Sequence, residues 1–369
     1  MTTNERPATM CQAFQRTAAV DPDAVALRTP GGAQTLTWRE YAVQVRHVAA
    51  GLAGLGVGRG DTVSLMMANR IEFYPLEVGS QHVGATSFSV YNTLPAEQLT
   101  YVFDNAGTKV VLCEEQYVDR IRASGVPIDH IVCIDGAPEG TISVAELYAA
   151  APVDFDFEAA WRAVRPDDVV TLIYTSGTTG NPKGVEMTHT NLLFEGYAID
   201  EVLGIEFGDR VTSFLPSAHI ADRMTGLYLQ EMFGTQVTVV SDGRAIAAAL
   251  PDVRPTVWAR CPGYGKSSRP ESNSRSATRA TRRSGRHCSG RCRWPPDAPK
   301  RCSPVCRSPM SWPPNGPGPT SWCCRSFASG SASVSFGGRS PEPRPSPRRR
   351  WVSLPASASR SPRFGECPS

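Results

Sequence analysis

The chain has 369 residues, 41% of them hydrophobic and 20% charged, enough for two or three domains of average size and a sizeable core. Its formal charge of +3 conceals a division: residues 261–369 hold 20 Lys and Arg against 4 Asp and Glu, leaving 18 against 31 for residues 1–260. The start of the chain lacks a basic segment followed by an apolar core, and no run of about 18 apolar residues occurs. A secretory signal and a membrane-spanning helix are therefore not expected. The reading is cytoplasmic, with peripheral contact at a membrane surface left open.

The first 35 residues form a polar lead-in with a short helix expected near 11–19. Thr37 and Glu40 stand three apart before an apolar-periodic run, the spacing of a capping box. Tyr41, Val45, Val48, Leu52 and Leu55 mark the buried face of the helix that follows. Gly56 to Asp61 turn the chain into a strand at 63–67. A second helix is expected over 71–83, ending at Gly84, then an extended entry at 90–94 to a helix around 97–105. Short apolar strands follow at 109–113 and 131–134. Cys113 and Cys133 lie inside those two runs and read as small buried hydrophobes. Further strands are expected at 169–173, 185–187, 210–215, 236–240 and 255–258. Helices are expected from Thr188 through Tyr197, over 219–233 with Gly226 inside at some cost, and at 245–250. Strands alternating with helical patterns indicate an α/β fold with mostly parallel sheet, read here as an incomplete three-layer assembly.

The most informative stretch is residues 174–184, YTSGTTGNPKG. It follows the β-branched run Val169–Ile173, so a buried strand feeds directly into a loop of Gly and hydroxyl residues. That is the geometry of a phosphate cradle, because Gly lets backbone N–H groups approach an anion. Thr175, Ser176, Gly177, Thr178, Thr179 and Gly180 supply the donors and Lys183 a positive charge. The loop is not a Walker A motif, since Lys183 is preceded by Pro182 and followed by Gly184.

These eleven residues resemble the signature loop of the adenylate-forming (AMP-binding) superfamily: acyl-CoA synthetases, luciferases and peptide-synthetase adenylation domains. A second segment, Leu215-Pro-Ser-Ala-His-Ile-Ala-Asp-Arg223, is similar to the LPxxHxxxR segment of the long-chain fatty acyl-CoA synthetase branch. Leu36–Glu40, Gly60-Asp61 and Asn92–Pro95 also look like family segments. The resemblance implies the incomplete N-terminal subdomains of an adenylate-forming enzyme and, by family, an ATP-dependent fatty acid–CoA ligase (AMP-forming). Such an enzyme activates a long-chain fatty acid as acyl-AMP and then transfers it to coenzyme A. It implies ATP, Mg²⁺ and coenzyme A as cofactors and substrates. The β- and γ-phosphates would lie on Thr175–Lys183. His219 would sit where the acyl pocket meets the nucleotide, with Asp222 and Arg223 supporting the helix behind it.

The resemblance covers residues 10–258. The family's YGxTE segment with its Mg²⁺-binding Glu, its TGD segment and its C-terminal catalytic Lys have no match here. No catalytic residue and no metal ligand are therefore assigned, and the chain is expected not to complete ligation. The alternatives are an acyl-AMP ligase serving a carrier protein and a non-enzymatic Arg-rich nucleic-acid-binding protein. No specific nucleic acid and no protein partner are expected.

Residues 1–258 are thus read as a partial AMP-binding domain and 259–369 as a disordered basic tail. From Cys261 onward the chain holds 18 Pro, 23 Ser and 18 Arg but one Leu and no Ile, too little apolar surface to offset the entropy of ordering. The spacings Cys288/Cys292 and Cys302/Cys306 permit zinc, and Arg348–Arg350 would attract polyanions, but neither sits in a periodic element. Out-of-frame translation explains more of the composition. Trp258–Glu271, back-translated with GC-rich codons and moved one base earlier, permits GAVPGLWEKLKAG, which resembles the family's VPxxWEKL segment.

Overall fold

A computed structural model describes residues 6–175, 181–259 and 350–352. One compact unit takes in residues 1–268 and 331–369; the other, 269–330, lies wholly outside the described residues. The strands are β1 (Val25–Arg28), β2 (Thr35–Thr37), β3 (Thr62–Met66), β4 (Thr86–Ser89), β5 (Thr108–Cys113), β6 (His130–Cys133) and β7 (Ile142–Ser143). They continue with β8 (Val169–Thr175), β9 (Lys183–Thr188), β10 (Arg210–Ser213), β11 (Gln236–Val239), β12 (Val257–Ala259) and β13 (Arg350–Val352). The larger sheet has the order β7-β6-β5-β3-β4-β8-β9 and the smaller one β10-β11-β1-β2. In the larger sheet only β9 runs antiparallel to its neighbour, as the return arm of a hairpin with β8.

Strand alternation divides the side chains of the larger sheet between two cores. Val63, Leu65, Val110, Leu112, Val132 and Val170 face a central core that also takes in Ala26, Leu27, Val211, Val237 and Val239 of the smaller sheet. Helices Met10–Ala18, Trp38–Gly54 and Phe73–His82 and the helical run 220–233 fill the space between the sheets. Met66, Phe88, Val111, Cys113 and Cys133 face an outer core under helices Ala96–Ala106 and Val118–Ala123. On the far side of the smaller sheet, Phe214, Leu215 and Val240 pack with Ala249 and Val253 of helix Ile246–Val253. The arrangement therefore has five layers, helix–sheet–helix–sheet–helix, rather than the three expected. The extra layers follow from sheets buried on both faces.

Local signals held closely. Thr37 and Glu40 form the capping box of helix Trp38–Gly54, and Thr188 and Asn191 form another at the start of His189–Leu203. Gly51 and Gly54 let that first helix touch Val144–Ala149, where a Cβ would collide with the carbonyls of Leu147 and Ala150. Five of the described strands, β1, β2, β4, β7 and β13, escaped the sequence reading. β1 lies within the stretch read as polar lead-in. β4, with sequence TSFS, lacks an apolar run because its hydroxyls are used inside the fold: Thr86 Oγ1 donates to the Val169 carbonyl (2.8 Å) and Ser87 Oγ to Glu77 (2.6 Å). Gly226 is a packing residue rather than a cost, since a Cβ there would lie 3.0 Å from Ser213 Cβ. The helical run opens into a π-turn at Arg223–Tyr228. The expectation of a disordered tail falls almost entirely outside the described residues. The described exception is Arg350–Val352, a short strand paired in parallel with Val257–Ala259.

Several titratable groups are buried in the middle layer. Burial pushes the Glu231 carboxyl up to about 8 and Asp222 up to about 6, and pushes His82 and His189 down to about 4. The two histidines bind protons in the unfolded chain that the folded one refuses, so their contribution rises with pH until about 6.5. The two carboxyls act oppositely: the folded chain holds protons that the unfolded one releases. Asp222 stops contributing above about 6, leaving Glu231 alone of the four between pH 6.5 and 8. We expect the unfolding free energy from urea titration to fall across that window by about 1–2 kcal/mol, and Glu231→Gln to flatten the fall. A flat wild-type profile there would contradict the assignment.

Candidate functional site

The β8–β9 hairpin carries the phosphate-loop candidates Thr175 and Lys183. Thr175 and Lys183 are direct register partners at its mouth, and both are exposed. Ser176, Gly177, Thr178, Thr179 and Gly180 lie outside the described residues. Behind the tip, the Tyr174 ring lies over Gly184, where a Cβ would sit 3.1 Å from Cζ. Its hydroxyl donates to Asn105 Oδ1 at 2.8 Å, and burial pushes its acidity down, to a pKa of about 12. The hairpin is thereby fixed to the end of helix Ala96–Ala106.

Thr175 and Pro182 border a mainly apolar cavity of about 430 Å³, which Leu94, Val102 and Ile173 also line. His219 borders the same cavity. It is the N-cap of Ile220–Asp222: Nδ1 accepts the Ala221 N–H at 3.1 Å. With Nδ1 an acceptor, the proton of the neutral ring sits on Nε2. Burial lowers the pKa of this half-buried ring, which favours the neutral form. The structure thus joins the described end of the phosphate loop to His219 around one cavity, although they are 44 residues apart in sequence.

The segment leading to His219 is held from both sides. Asp222, 6% exposed, accepts the backbone N–H groups of Phe214 (3.0 Å) and Leu215 (2.9 Å) and the Ser213 hydroxyl (2.6 Å). Asn69, just beyond β3, donates Nδ2 to the Leu215 carbonyl (2.7 Å) and to Ser213 Oγ (3.1 Å). Arg223 is fully buried. It donates to Glu77, to Ser89 Oγ (3.3 Å) and to the Tyr228 hydroxyl (2.9 Å). The supporting roles expected of Asp222 and Arg223 are therefore visible as named bonds. Asn69, Glu77 and Ser89 were not singled out from the sequence. Their only signal is position, since Asn69 lies beyond the carboxyl end of a parallel strand, where α/β folds place their sites.

A larger groove of about 680 Å³ lies between Arg59, Thr62, Asn105, Asp168 and Glu186. It is lined by neither His219 nor Thr175, and Arg59 and Asp168 already pair with each other. Among the described residues no group of three or more His, Cys, Asp or Glu could hold a metal. These residues do not fit the Mg²⁺ that the resemblance implies, and no step is routed through it. No helix among them is long and apolar enough to cross a membrane.

The family described as "AMP-binding enzyme" matches residues 14–308, a span that runs past residue 258. An uncharacterized protein of Mycobacterium tuberculosis is 87% identical over 138 residues, 37% of this chain and 79% of that protein. A putative fatty-acid–CoA ligase of the same organism, fadD11, is 83% identical over 124 residues, 33% of this chain and 22% of the ligase. The long-chain-fatty-acid–CoA ligase FadD15 of M. tuberculosis is 34% identical over 252 residues, 66% of this chain and 42% of the ligase. The chain thus matches less than half the length of either ligase. Among solved structures, the N-terminal domain of FACL13 from M. tuberculosis, determined with an inhibitor, superposes with a TM-score of 0.59 at 24% identity. It covers 68% of this chain and 62% of that one, a likeness of fold.

The bonds to Asp222 predict an uneven response to mutation. Asp222→Ala strips two buried backbone N–H groups of their acceptor and should cost at least about 2 kcal/mol in urea unfolding. His219→Ala, at a half-buried position, should cost less than about 1 kcal/mol. Equal costs would show that Asp222 does not hold the segment.

Proposed function

We propose a function on the premise that the family match supplies: this chain belongs to the AMP-binding enzyme family. It carries the phosphate loop and acyl–nucleotide junction of an ATP-dependent fatty acid–CoA ligase that works through acyl-AMP. The observation that carries this reading is the convergence of Thr175, Pro182 and His219 on one mainly apolar cavity. A polyphosphate on the hairpin tip would face Lys183 and the Thr175 hydroxyl. A carboxylate entering along Leu94, Val102 and Ile173 would arrive beside the Nε2–H of His219. That N–H would donate a hydrogen bond to an acyl or phosphoryl oxygen as charge gathers there. The apolar lining would exclude water from the adenylate.

The similarity to fadD11 and FadD15 supports a fatty acid as the carboxylate and coenzyme A as the acceptor. The chain as it stands binds ATP phosphates weakly and does not complete ligation. The described residues give the adenine, the ribose and Mg²⁺ no assigned partner. Each such contact to a charged or buried group contributes about 1–3 kcal/mol, and losing several together removes turnover rather than slowing it. The boundary near residue 258, with out-of-frame translation beyond it, belongs to the same proposal. It is read directly from the nucleotide sequence around codon 258.

The test is fatty-acid-dependent pyrophosphate release by the purified 369-residue chain, with ATP affinity measured alongside. We expect no release above background and weak ATP binding that Lys183→Ala reduces further by about tenfold, the value of one charge-assisted contact. Robust release that Lys183→Ala abolishes would overturn the claim that ligation is incomplete. ATP binding indifferent to Lys183→Ala would overturn the phosphate-site assignment.

A further inference from the structure

Two thiols lie side by side in the larger sheet. Cys113 ends β5, Cys133 ends β6, and they are direct register partners in a parallel pair. Both belong to the outer core under Ala96–Ala106 and Val118–Ala123, so they share one face of the sheet. Both are free and 0% exposed. Adjacent strands run about 4.8 Å apart, inside the Cα separation of about 4.4–6.8 Å that a disulfide spans. The same spacing exceeds the mean disulfide Cβ separation of about 3.8 Å, so the bond would draw the two strands together and belong to the labile, reversible class.

We propose that Cys113 and Cys133 are a modification site: a reversible cross-strand disulfide formed by exchange with a small-molecule disulfide. One cysteine loses its proton to solvent and attacks a sulfur of the small disulfide, giving a mixed disulfide and one small thiolate. The second loses its proton and attacks the protein sulfur of that mixed bond, closing Cys113–Cys133 and releasing the second small thiolate. The protein pair gives up two electrons, the small disulfide accepts two, and the two released thiolates take up the two protons.

Burial governs the rate. It pushes the Cys113 thiol up to about 12 and raises Cys133 as well, so the thiolate is scarce in the closed fold. Exchange runs instead through opening of the nearby sheet edge, where β7 pairs with β6 over two residues only. The pair is therefore a slow lock rather than a fast sensor. Its position connects it to the candidate site. Glu114, next to Cys113, accepts the Ala68 N–H at 2.6 Å, and Asp135, two residues after Cys133, binds Arg70 at 2.8 Å. Between Ala68 and Arg70 stands Asn69, which holds the Leu215 segment. The lock would fasten the strand ends beneath that support.

The experiment exposes the full-length folded chain to oxidised glutathione, quenches with acid, alkylates the remaining thiols and maps tryptic peptides by mass. Arg120 and Arg122 lie between the two cysteines, so unlinked thiols fall in separate peptides and the linked pair runs as one species, two hydrogen masses below their sum. Peptide mapping keeps the nine other cysteines from confusing the result. We expect the Cys113–Cys133 species to accumulate slowly, to vanish on adding dithiothreitol, and to raise the unfolding midpoint by several degrees. Cys113→Ser and Cys133→Ser should each abolish both effects. Recovery of both cysteines as separately alkylated or glutathione-capped peptides after prolonged exposure would overturn the proposal, as would a link that forms only in urea.

Discussion

Two sheets enclose a layer of helices, and one buried ion pair crosses that layer at the point where the candidate site is built. Arg223 and Glu77 both have fully buried side chains. Glu77 belongs to helix Phe73–His82 and takes a second bond from Ser87 of β4; Arg223 reaches Ser89 of the same strand. Arg223 also opens the π-turn, which lies against β10 of the smaller sheet through Gly226 and Ser213. A charge in that position must be paired, because the cost of leaving it alone far exceeds what packing returns. That requirement fixes where the helical run can sit, and with it Asp222, His219 and the mouth of the cavity.

The site then divides into a rigid half and an exposed half. The His219 side is held by three bonds to Asp222 and two from Asn69, all within buried structure. The side proposed to bind phosphate is a hairpin arm whose outer residues, including Thr175 and Lys183, are open to solvent. Glu114 directly follows Cys113 at the end of β5, and Cys113 is the register partner of Cys133 at the end of β6.

Much of this was legible in the sequence wherever the cause is local. The capping box at Thr37, the helix start at Thr188, the apolar face from Tyr41 to Leu52, and the strand feeding the Gly-rich loop each rest on neighbours a few residues apart. The run LPSAHIADR placed His219 at a helix start, and the structure agrees. What was not legible depends on distant partners. β4 reads as a polar stretch because its serines serve Glu77 and Arg223, which are set by the tertiary fold. Asn69 and Glu77 look like ordinary surface residues until the two sheets are brought together. Five layers were read as three because the hydrophobic pattern shows which strands are buried on both faces, not how many helices share the cover.

The central claim is that the Arg223–Glu77 pair fixes the candidate site, and a double-mutant cycle tests it most directly. Unfolding free energies and ATP affinity would be measured for Arg223→Met, Glu77→Leu and the double variant. The account predicts that each single change costs about 3–5 kcal/mol by stranding a buried charge, and that the double variant recovers much of that stability. It also predicts that the double variant does not recover the nucleotide affinity of the wild-type chain, because the helical run is no longer pinned. Single variants as stable as wild type, or a double variant with full ATP affinity, would contradict it.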